Sequence, residues 1–90
     1  MSEIIKVASA GTLESSDVYV EIEPWNEGIR VEVESVVKEQ FGDAIEAVVL
    51  EVLEQSGVAH AKVSVSDRGA LDCVIRARVE AAVLRGKEEA

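Results

Sequence analysis

The feature that most constrains this chain is a change of hydrophobic period part-way along it. Val18, Val20 and Ile22 alternate with Tyr19, Glu21 and Glu23, and Ile29, Val31 and Val33 alternate with Arg30, Glu32 and Glu34. A period of two puts one face of an extended segment in a core and the other in water, so both runs predict strands. Pro24-Trp25-Asn26-Glu27-Gly28 separates them. Pro24 has no amide hydrogen to give to a central ladder, so the first of these runs ends there, and five residues suit a hairpin loop.

The pattern then switches to steps of three and four: Val37, Phe41, Ile45, Val48, Val49 and Val52 share a stripe, with Glu39, Asp43, Glu46 and Glu54 opposite. That is a helix with one buried side, with Ser35 as its candidate N-cap and Gly57 as its C-terminal cap. Gly42 inside it costs roughly 1 kcal/mol against Ala and suggests close packing on a neighbour. Ala61, Val63 and Val65 alternate with Lys62, Ser64 and Ser66 as a further strand, and Asp67-Arg68-Gly69 is the turn after it. Leu71, Val74, Ile75, Val79, Ala82 and Val83 form a second helical stripe that ends at Gly86. Arg78 falls on that stripe, so its stem should pack while its guanidinium reaches water or a carboxylate. Arg76 lies further round and is expected to be solvated. Ile4 to Ala8 is an edge strand or the lead-in to one.

The order is thus strand, strand, strand, helix, strand, helix. If the strands flanking the long helix are parallel, the unit from Ile29 to Val65 crosses over right-handed and places that helix on one face. The expected fold is α+β, a two-layer sandwich in which two helices cover one face of a roughly four-stranded mixed sheet. Ninety residues, 48% of them hydrophobic, are expected to make one domain over residues 1–90 with a real core. There are only three aromatic residues, so that core must be built from Val, Ile, Leu and Ala. A net charge of −9 repels phosphate backbones and argues against nucleic acid, while favouring basic patches on other proteins. No apolar run is long enough to span a membrane and Met1-Ser2-Glu3 lacks the basic start of a secretory signal, so a cytoplasmic protein is expected.

One stretch offers a chemical handle, Ala10-Gly-Thr-Leu-Glu-Ser-Ser-Asp-Val18, where an extended segment turns back toward the strand that starts at Val18. Read from spacing alone, Ser-Ser-Asp is an ordinary hairpin turn with hydroxyls in water. Elsewhere there is no Gly-rich phosphate loop, no metal-ligand cluster and no paired nucleophile and base. Cys73 faces away from the second helical stripe and reads as a small hydrophobe. His60 has no partner at recognisable spacing, so neither catalysis nor metal binding is expected of it. Trp25 is either a partner contact or a lid over the sheet edge.

Three stretches nevertheless resemble, in order, signature blocks of the acyl carrier (gamma) subunits of citrate lyase: Ala10-Gly-Thr-Leu-Glu-Ser-Ser-Asp17, Lys38-Glu-Gln-Phe-Gly-Asp-Ala-Ile45 and Gly69-Ala-Leu-Asp-Cys-Val-Ile-Arg-Ala-Arg-Val-Glu-Ala81. The resemblance implies a non-catalytic carrier in which Ser15 bears phosphoribosyl-dephospho-coenzyme A through a phosphodiester. The thiol of that group holds acetyl and citryl thioesters while citrate is cleaved to acetate and oxaloacetate. The implied partners are the alpha (acyl transferase) and beta (citryl lyase) subunits and a prosthetic-group transferase. The family usually has Gly after the modified serine, whereas this chain has Ser16, so the turn is expected to be strained or of another type, and Ser16 is the fallback attachment site. The helix bundle of ordinary acyl carrier proteins is not expected. The alternatives are the acyl carrier of malonate decarboxylase, which bears the same kind of group, and an unmodified acidic interaction module.

Overall fold

The computed structural model describes residues 3–36 and 38–88, and the side chains of all of these except 38–41. Its elements are β1 (Ala8–Gly11), β2 (Val18–Glu23), β3 (Ile29–Ser35), α1 (Lys38–Gln55), β4 (Ala61–Asp67) and α2 (Asp72–Lys87). The four strands form one mixed sheet in the order β1-β2-β4-β3, and the expected α+β class holds. Val18, Val20 and Ile22 of β2 and Ala61, Val63 and Val65 of β4 are buried on one face, under Ile45, Val49, Val52 and Leu53 of α1 and Ile75, Val79, Ala82 and Val83 of α2. α1 packs over β3, α2 over β1 and β2, and the helices touch each other. The expected places of Val37 in the α1 stripe, of the Phe41 side chain beside it and of Glu39 opposite lie outside the described residues.

β2 and β3 are not a hairpin. β4 lies between them, antiparallel to β2 and parallel to β3. Both neighbours present the same end to it, Glu23 opposite Lys62 and Ile29 opposite Ala61. Pro24–Gly28 therefore has only to pass two strand spacings, roughly 10 Å, which five residues reach easily. The Ala61 N–H donates to the Gly28 carbonyl (3.0 Å), tying that bridge to the strand it crosses. Composition explains who is central. β3 shows Arg30, Glu32 and Glu34 to solvent, charges that blunt a sheet edge, whereas β4 has every core-facing position buried. β3 and β4 are the parallel pair expected across the long helix.

Gly57 ends α1 as expected. It has φ 72, its N–H donates to the Glu54 carbonyl (3.1 Å) and the Val58 N–H to that of Leu53 (3.0 Å), which is a Schellman closure with Val58 and Leu53 both buried. Other local expectations are corrected. Ser35 is the last residue of β3 and its hydroxyl donates to Asp67 Oδ2 (2.7 Å), while its expected capping of the first turn of α1 lies outside the described residues. Leu71 stands at the N-cap of α2 and is 71% exposed, outside the buried stripe. α2 ends at Lys87, one residue after the expected Gly86, which sits in its last turn. A Cβ there would sit 3.1 Å from Ile4 Cγ2, and the Gly86 carbonyl accepts from the Ile5 N–H (2.9 Å). Ile4 to Val7 is thus a lead-in, docked on α2 through buried Ile4, and the strand starts at Ala8. Arg76 is not free in solvent but pairs with Glu51 of α1 (2.7 Å).

Candidate functional site

The β1–β2 hairpin carries Thr12–Asp17 at its tip, and several bonds hold that loop. The Asp17 N–H donates to the Glu14 carbonyl (3.1 Å), closing a four-residue turn around Ser15 and Ser16. The Glu14 N–H donates to Thr12 Oγ1 (3.2 Å). From the neighbouring β4–α2 connection, Arg68 grips the turn twice: its carbonyl accepts from the Ser16 N–H (2.8 Å) and its N–H donates to the Asp17 carbonyl (2.9 Å). Ser15 is exposed at the apex, and its hydroxyl makes no hydrogen bond among the described residues. An exposed serine at a turn is what the sequence predicts here.

Asp17 is the anchor. Its Oδ2 accepts from the Thr12 hydroxyl (2.7 Å) and from Arg78 Nη2 (3.0 Å), and its Oδ1 from the Val18 N–H (2.7 Å) and Arg78 Nε (3.1 Å). The guanidinium fork thus joins the loop to α2 across 61 residues of sequence. Arg78 does meet a carboxylate, as its angle on the helix predicts. That the carboxylate is Asp17 is invisible in the spacing. The Thr12 hydroxyl, the Val18 amide and Arg78, in that order, lower the Asp17 pKa to about 2. A carboxylate depressed in the folded state contributes stability that is fully present above its unfolded pKa, near 3.8, and lost as pH falls through its folded one, near 2. A carbon-detected titration of Asp17 is therefore expected to show a midpoint near pH 2, with the amides of the loop shifting in step. A midpoint near 4 would mean the network does not hold in solution.

Ser16 has φ 65, the left-handed region that costs a non-glycine residue roughly 1–2 kcal/mol. Here the expectation of strain is met. Ser16→Gly removes that cost and adds about 0.4–1 kcal/mol of unfolded-chain entropy, so a net gain of about 0.5–1 kcal/mol is expected from denaturant midpoints. No gain, or a loss, would show that the hydroxyl contributes something the backbone argument omits.

The remaining candidates lie elsewhere. Cys73 is free and exposed. His60 Nδ1 is 3.7 Å from Glu3 Oε1, a partner 57 residues away that spacing could not reveal; the same carboxylate caps the His60 N–H (2.9 Å). Trp25 is half-buried, with Lys62 Nζ 5.5 Å from its ring centre on the open face of the sheet. Among the described residues no group of three or more His, Cys, Asp or Glu could hold a metal ion, and no helix is long and apolar enough to cross a membrane.

Residues 5–86 match an acyl carrier family model described as the malonate decarboxylase delta subunit (MdcD). The citrate lyase acyl carrier protein 2 of Salmonella typhimurium is 61% identical over 88 residues, covering 97% of this chain and 91% of that one. The chain belongs to the citrate lyase acyl carrier protein family. The citrate lyase acyl carrier protein of Haemophilus influenzae Rd is 53% identical over 88 residues, covering 98% and 92%. The fold is similar to a chain in a Pseudomonas malonate decarboxylase hetero-tetramer solved with malonate, at a TM-score of 0.77 and 21% identity over 89% of this chain and 82% of that one. As a member of that family the chain is a carrier rather than a catalyst.

Proposed function

We propose that this chain is the acyl carrier subunit of a citrate lyase complex and that Ser15 Oγ bears phosphoribosyl-dephospho-coenzyme A through a phosphodiester. The observation that carries the reading is the exposed, hydrogen-bond-free Ser15 hydroxyl at the apex of a turn gripped by Arg68 and Asp17. A long arm needs a root that is open to a transferase yet fixed to the domain, and the residues present fit one. When attached, such a group supplies a thiol for thioester carriage.

The protein's own part is positional. Asp17, Thr12 and Arg78 hold the root, and tethering confines the cargo near successive active sites at a high effective concentration. The partners under this reading are the alpha acyl transferase, the beta citryl lyase and a prosthetic-group transferase, all in the cytoplasm, with residues 1–90 acting as one carrier domain. The family model's description and the fold likeness favour a second reading, the carrier of malonate decarboxylase, which needs the same root and differs only in partner subunits.

Intact mass and peptide mapping of the protein from citrate-fermenting cells test the proposal. An added phosphoribosyl-dephospho-coenzyme A mass is expected on the Ser15 peptide, and fragmentation separates Ser15 from Ser16. An unmodified protein in cells with active citrate lyase rejects the carrier reading and leaves an unmodified interaction module.

A further inference from the structure

A cleft of about 440 Å³ lies between the N-terminal half of α1 and the start of α2. Its apolar walls are Ala44, Ile45, Ala70, Leu71 and Ile75, and its charged groups are two carboxylates, Asp67 and Asp72. The volume is within the roughly 300–1,000 Å³ of small-ligand sites. Asp67 and Gly69 both line it, and the residue between them is Arg68, which bonds the turn through its N–H and its carbonyl. The cleft wall and the Ser15 turn are thus joined through one residue.

We infer that this cleft seats the adenine-nucleoside portion of the group attached at Ser15, with Arg68 supplying the cation for the phosphodiester. The inference rests on the reading of Ser15 as the attachment point. Charge sorts the group along its length. Two carboxylates in an apolar wall repel phosphates and any acidic acyl terminus, so the phosphates joined to the ribose stay at the mouth, while the carboxylates accept the exocyclic N–H of a flat, uncharged base within. Asp67 is 2% exposed and takes one bond at each oxygen, from the Ser35 hydroxyl (2.7 Å) and the Ala70 N–H (2.9 Å). A carboxylate has about four acceptor sites, so capacity remains.

The phosphodiester needs a cation outside the cleft. Arg78 is committed to Asp17, Arg76 to Glu51 and Arg30 to Glu32. Arg68 is half-buried beside the turn, and its guanidinium has no partner among the described residues. The nucleoside is also the first large ring system met from the serine, whereas the thiol end lies at the far end of the arm.

The test uses loaded protein whose added mass has been mapped to Ser15. Nuclear Overhauser cross-peaks are expected between the adenine H2 and H8 protons and the methyls of Ala44, Ala70 and Leu71, with loading-dependent amide shifts at residues 67–72. Arg68→Gln, loaded to the same mass, is expected to move the phosphodiester ³¹P resonance and weaken those cross-peaks several-fold. Shifts confined to residues 12–17, or cross-peaks from the pantetheine methyls instead of adenine, would overturn the seat while leaving attachment intact. Absence of the added mass overturns the attachment, and the seat with it.

Discussion

Ser15→Ala is expected to reduce turnover of the reconstituted citrate lyase complex to background, with no prosthetic-group mass on the protein and an unchanged fold. The side chain is exposed and its hydroxyl bonds to nothing described, so truncation should move stability by no more than about 0.5 kcal/mol, the usual range for a surface change. Under the proposed function attachment is all-or-none, so the loss of activity should be complete rather than graded. Ser16→Ala is the natural control, because alanine changes neither the Ser15 hydroxyl nor the backbone bond from the Ser16 amide to Arg68. Turnover above background in a Ser15→Ala protein with no added mass would contradict the carrier mechanism. Added mass found on Ser16 of that variant would instead move the root by one residue.

Gly11→Ala is expected to have the largest effect on stability. Gly11 ends β1 with φ +92, and a Cβ there would lie 1.8 Å from the Val18 carbonyl oxygen and 3.2 Å from Arg78 Cδ. The obstacle is backbone, so no rotamer change relieves it, and one strand of the hairpin must move. Left-handed strain together with this clash puts the cost at about 3 kcal/mol or more, a fall in Tm of more than about 10 °C for a domain of this size. Gly28→Ala separates the two contributions. Its φ is +90 but nothing lies within 4 Å of the added carbon, so it should cost only the conformational part, roughly 1–2 kcal/mol. Equal losses at the two sites would show that the hairpin absorbs the clash. The glycine of the Ala-Gly-Thr-Leu-Glu-Ser block is therefore where an added side chain would meet the backbone of β2 at Val18, the residue after the anchor Asp17.

Most of the local structure could be read from periodicity. β2, β3 and β4 fall where apolar and polar residues alternate, and both helices where the step lengthens, because one-sided burial imposes its spacing directly on the residues. The Gly57 cap was legible for the same reason: the positive φ is a property of one position. The exposure of Ser15 followed from turn residues, whereas its chemical interest came only from resemblance to a family. What stayed hidden depends on residues distant in sequence. A five-residue link between two amphipathic strands reads as a hairpin until a third strand is known to lie between them. Gly86 marks the end of α2 to within a residue, but nothing local shows that Ile4 packs against it. The Asp17–Arg78 fork and the Arg76–Glu51 pair likewise join residues from separate elements, and Arg68 read as a turn residue because its two bonds to the Ser15 loop are made by its backbone.

The place of β4 also orders events during synthesis. Among the described residues it is the last strand and the only one flanked by both β2 and β3, so a nascent polypeptide that stops short of residue 61 holds one small hairpin and one lone helix, neither of which persists well in water. Long-range pairing of this kind is slow to form and waits for its last member. The bonds from Arg68 and Arg78 that shape the Ser15 loop come from residues translated after that strand. Under the proposed function, a transferase that recognises the finished turn therefore meets it only after residue 78 has left the ribosome.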